Sequence, residues 1–82
     1  MYSMEFRFEA SNGTDIPAVL GRAIAETRQK IGIIDFLKGD TTAVAHIKAP
    51  TIYALQLLIA ELKKEREDGH IAFVETGNIE ED

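Results

Sequence analysis

Between Met4 and Thr76 the spacing of apolar residues switches between a period of two and a period of three to four, in the order two, three-to-four, two, two, three-to-four, two. Successive side chains of a strand face opposite sides, and helical residues three or four apart share a face. The order therefore reads strand, helix, strand, strand, helix, strand. Two strand-helix-strand units with right-handed crossovers predict an α+β, ferredoxin-like βαββαβ sandwich. Its four-stranded antiparallel sheet has the order 4-1-3-2, with two helices on one face.

The boundaries follow from local chemistry. The first strand is predicted over 4–10, where Met4, Phe6, Phe8 and Ala10 alternate with Glu5, Arg7 and Glu9. Turn formers 11–15 lead to a helix over 15–31, with Asp15 or Thr14 as N-cap and Pro17 in the first turn, where its missing N–H has no intrahelical partner. Strands over 33–38 and 42–48 flank the turn Lys38-Gly39-Asp40-Thr41. Thr51 caps a second helix over 51–67, Gly69 stops it, and a fourth strand covers 70–76 before an acidic tail, 77–82. All 82 residues form one domain, a size at which association with a partner or with itself helps stability.

Composition excludes several functions. The chain has no cysteine, so disulfides, thiolate metal sites and cysteine nucleophiles are absent. Its opening residues alternate like a strand, with no basic region before an apolar run, and no apolar run is long enough to cross a bilayer. These features predict a soluble cytoplasmic protein without a membrane partner. The net charge of −5 repels nucleic acid, and the helix cations are interspersed with acids. Phe6 and Phe8 alternate with Met4 as core residues and not as a base-stacking platform.

No catalytic motif breaks the pattern. The glycines lack the spacing and the lysine of a phosphate loop. His46 and His70 fall on strands flanking the first one and approach each other only if both face the bare side of the sheet. A metal there with Glu5 or Glu9, or a metal- or acid-dependent enzyme built on His46, His70 and Asp35, is a minor alternative, since no ligand spacing supports the metal and an exposed edge position or a partner such as Lys48 accounts for Asp35. The expectation is no enzyme, no cofactor and no metal. For self-association, Tyr53 and Leu57 lie off the main apolar stripe of the second helix, and Val44 and His46 lie on the bare sheet face.

The stretch from Asp15 to Glu26, followed by Lys30-Ile-Gly-Ile-Ile-Asp-Phe, resembles the opening of ACT domains. In these small modules a polar residue and Pro-Gly precede an amphipathic helix, and a Gly-Ile pair leads into the second strand. The resemblance spans residues 4–76. It implies a homodimeric regulatory module that binds an amino-acid-like ligand at Asn12, Gly13, Thr14, Asp15, Ile16 and Ala18, faced by Ile33 and Ile34 of a neighbouring subunit. Ala18 stands where the family has glycine, which narrows such a pocket. The leading expectation is thus a small non-catalytic regulatory or interaction module. The alternative is a protein-binding adaptor or inhibitor, of phage or mobile-element type, that presents an acidic surface.

Overall fold

The computed structural model describes residues 1–11 and 13–81. The elements are β1 (Tyr2–Glu9), α1 (Ile16–Thr27), β2 (Gly32–Lys38), β3 (Thr42–Ala49), α2 (Ile52–Glu67), β4 (Phe73–Thr76) and the two-residue β5 (Glu80–Glu81). They build the ferredoxin-like α+β sandwich, with the antiparallel sheet order β2-β3-β1-β4 and β5 beside β1. Read from the other edge, this is 4-1-3-2 with a fifth strand added. The stretch read as an acidic tail is therefore partly structured: Glu80 and Glu81 pair with Ser3 and Tyr2.

Alternation on the two central strands divides the molecule. Met4, Phe6 and Phe8 of β1 and Ala43, Ala45 and Ile47 of β3 are buried under the helices. The small alanines of β3 let the helices approach, and the bulk comes from Leu20 of α1 and Leu55, Leu58 and Leu62 of α2, each at most 1% exposed. The Phe6 and Phe8 rings lie 6.3 Å apart at 13°, an offset stack.

Side-chain caps set the helix ends. Asp15 Oδ1 accepts from Ala18 N–H at 3.2 Å and Thr51 Oγ1 from Ala54 N–H at 3.1 Å. The first helix ends four residues earlier than its apolar period suggests. Thr27 Oγ1 donates to the Ile24 carbonyl at 2.6 Å and accepts from Gln29 N–H at 3.2 Å, and Arg28 takes the left-handed conformation with φ 55°. Ile31 then packs against the core from the loop. At the other helix, Gly69 has φ 83°. Its N–H reaches the Arg66 carbonyl at 3.1 Å, and His70 N–H reaches Glu65 at 3.0 Å, a Schellman closure. That closure takes residues 68–72 out of β4, which starts at Phe73 and not at His70.

Leu58→Ala is expected to destabilise the domain by about 2–5 kcal/mol, because the side chain is fully buried between α2 and the sheet. Urea unfolding followed by circular dichroism measures it, and a loss below about 1 kcal/mol would contradict this packing.

Candidate functional site

The hairpin register of β2 and β3 determines what the open face of the sheet can do. Counting back from the turn, Lys38 pairs with Ala43, Leu37 with Val44, Phe36 with Ala45 and Asp35 with His46. A β-bulge follows, so that Ile33 pairs with Ile47 and Gly32 with Lys48, and Ile34 is the extra residue. Directly opposed residues share a face. Asp35 therefore stands at the exposed edge, as one sequence expectation has it, and its partner on the open side is His46 and not Lys48. His46 is in turn opposite Glu5 of β1.

The imidazole lies between two carboxylates. His46 Nδ1 is 3.2 Å from Asp35 Oδ1 and 3.3 Å from Oδ2, and Nε2 is 3.9 Å from Glu5 Oε1. An ionised carboxylate only accepts, so the bond to Asp35 requires a proton on Nδ1, and in the neutral tautomer with that proton Nε2 faces β1 with its lone pair. The side chain is 47% exposed, open to a reactant.

Beside it the sheet is grooved. A hollow of about 180 Å³ is lined by His46, Glu5, Ser3, Gly77, Asn78 and Glu80. The next, about 260 Å³, shares Glu5 and Gly77 and adds Arg7 and Glu75. A third, about 340 Å³, shares Arg7 and Glu75 and ends on Thr42, Val44 and Phe73. The shared residues make one trough over β1, with the imidazole at one end, Arg7 in the middle and an exposed aromatic ring at the other. Arg7 Nε lies 3.8 Å from Glu5 Oε2. Phe73 and Arg7 were not read as site residues from the sequence, although the alternation of β1 already placed Arg7 on the bare face.

The two histidines do not meet. His70 sits in the loop before β4, on the helix side, with Nδ1 against Glu65 Oε2. Glu65 also takes a two-pronged bond from Arg22 of α1, Nε at 3.0 Å and Nη2 at 2.8 Å. This cluster ties α1, α2 and the approach to β4 together. The Arg22 guanidinium, helped by His70 and opposed by partial burial, pulls the Glu65 carboxyl down to about 2. Among the described residues no group of acids and histidines is arranged to hold a metal ion, and the two nitrogens of His46 face different carboxylates.

The residues of the loop expected to hold a ligand also build the start of α1. Asp15 is spent as the N-cap, Ile16 is 1% exposed in the core, Ala18 faces outward, and Gly13 makes the turn at φ 93°. Asn12 lies outside the described residues. Ile33 and Ile34 are exposed at the β2 edge. Of the expected interface, Tyr53 is exposed and Leu57 half-buried on α2, whereas Val44 and His46 lie on the opposite side of the sheet, so the four do not form one surface.

The sequence matches no protein-family model and none of the curated proteins. Solved structures do resemble the fold. SnoaB, a cofactor-independent oxygenase from Streptomyces nogalater, is 17% identical with a TM-score of 0.64, over 99% of this chain and 91% of that one. A protein of Deinococcus radiodurans, provisionally assigned as an antibiotic biosynthesis monooxygenase, is 12% identical with a TM-score of 0.61, over 100% and 92%. The de novo designed protein Foldit4 is 12% identical with a TM-score of 0.62, over 99% and 97%. At these identities the likeness establishes the fold alone.

The oxygenase neighbours nevertheless overturn the expectation of a non-catalytic regulatory or adaptor module. That expectation inferred an absence of catalysis from an absence of motif, and a named oxygenase that needs no cofactor has this same frame at nearly this length. No helix is long and apolar enough to cross a membrane among the described residues.

The Glu65 cluster predicts an acid-stability signature. A carboxyl held at about 2 in the folded state against 4.5 ordinarily contributes stability that is fully present above pH 4.5 and is lost as pH falls through 2. Glu65→Gln is expected to lower the melting temperature at pH 7 by roughly 4–8 °C, a gap that closes as pH falls through that window. Melting curves of both proteins across the window test it, and a gap independent of pH would show that the ion cluster is not its source.

Proposed function

We propose that this chain is a small cofactor-free enzyme of the oxygenase type, whose first step is proton abstraction by His46 from a neutral, electron-rich carbon acid lying in the sheet trough. The observation that carries the reading is the His46 ring held by Asp35 at Nδ1, with Nε2 at the trough. The full-length likeness to a cofactor-independent oxygenase supports it.

The chemistry follows from the groups present. A carbanion conjugated with aromatic rings passes one electron to O₂, and the radical pair recombines to a peroxide. Loss of water, with the proton returned from His46, leaves a carbonyl, so that a CH₂ group and O₂ give C=O and H₂O. Arg7 in mid-trough stabilises the negative charge that develops on the substrate oxygen. Phe73 and Val44 provide an apolar floor for a flat ring, and the hollow there is large enough for a small aromatic body. The acids along the trough, Glu5, Glu9, Glu75 and Glu80, select against substrates that arrive already negative.

Anthrone is a suitable probe, because its CH₂ is acidified by two aryl rings and a conjugated carbonyl. With metal- and flavin-free protein, O₂ uptake on an electrode is expected to exceed the spontaneous rate. His46→Asn should lower it about 10²–10⁴-fold and Asp35→Asn by about tenfold, with circular dichroism unchanged. Wild-type uptake at the spontaneous rate, or full activity in His46→Asn, would refute the assignment.

A further inference from the structure

A second hollow opens on the opposite side of the molecule, between α2 and β4. Its floor is made by Phe6 and Leu62, both 0% exposed, and its walls by the half-buried Ile59 and Val74, with Thr76 at one side. It lies where Val74 and Thr76 of the four-residue β4 face the second half of α2. The mouth carries Lys63 and Arg66. Together with Ile59 and Leu62 these occupy positions i, i+3, i+4 and i+7 of one helical face, so that two cations stand directly above an apolar floor.

The chain carries nine cationic residues against fourteen acidic ones, and six of the nine, Lys63 and Arg66 among them, enter no ion pair among the described residues. An apolar hollow with unpaired positive charge at its rim is complementary to a small amphiphilic anion. Its volume, about 110 Å³, lies below the roughly 150 Å³ of an apolar cavity that holds benzene, which limits the apolar part to about four or five carbons.

We infer that this hollow binds a short branched aliphatic carboxylate, with the alkyl group on Phe6 and Leu62 and the carboxylate at Lys63 and Arg66. The site is separate from the His46 trough and stands whether or not the oxygenase reading holds.

Isovalerate and its neutral isostere isovaleramide test it by methyl and amide NMR on the intact protein. Isovalerate is expected to shift the methyl resonances of Ile59, Leu62 and Val74 saturably. Isovaleramide should bind about tenfold more weakly, the share owed to charge. Lys63→Glu combined with Arg66→Glu, both at exposed positions, should abolish the preference for the acid. Three results would overturn the inference: no saturable shift at those methyls, equal affinity for acid and amide, or undiminished isovalerate binding in the double variant. The last would mean that the two cations serve only the C-terminal end of α2.

Discussion

Strand β1 pairs with β3 along its whole length, with β4 over Phe6 to Glu9 and with β5 at Tyr2 and Ser3, so three of the other four strands depend on one eight-residue segment. Its strict alternation sends Met4, Phe6 and Phe8 under the helices and Glu5, Arg7 and Glu9 to the open face. A slip of one residue would exchange these sets, bury three charges and expose the aromatic core, a change no domain of this size survives. The core, the trough and the second hollow, which shares Phe6 as its floor, are all consequences of that one register.

The same constraint explains why the open face is chemically rich. Its central positions belong to β1 and β3, whose other sides are committed to packing, so Glu5, Arg7 and His46 are free of packing duty. His46 is aimed by the strand backbone and by Asp35 across the hairpin, and a rigid scaffold of this kind holds a base more precisely than a loop does. On the helix side, by contrast, His70 and Glu65 are occupied with joining α1, α2 and the approach to β4. Two histidines of similar sequence context thus have different work, decided by which face each one occupies.

Much of this could be read in advance. The hairpin turn at Lys38 to Thr41 already implies, by simple counting, that Asp35 stands opposite His46 and two positions from Lys48. The early end of α1 was hidden because Thr27 closes the helix with its own side chain while Ile31 continues the apolar period from the loop. The Arg22–Glu65 bond joins residues 43 apart on two helices, and nothing local announces it. The ligand loop suggested by resemblance contains residues that every fold of this topology needs at a helix start, and here Asp15 and Ile16 are used for capping and packing.

Sequence by itself determined the order of elements, the division of β1 and β3 into a core face and an open face, a first-helix cap at Thr14 or Asp15, and the cap at Thr51. Each of these rests on the period of side chains or on hydrogen bonds spanning three residues. Tertiary structure alone decided the bulge at Ile34, the trough from His46 to Phe73, the sharing of Glu65 between Arg22 and His70, and the hollow under Lys63 and Arg66. Those depend on where separate elements come to rest against each other, and packing among distant residues leaves no periodic trace along the chain.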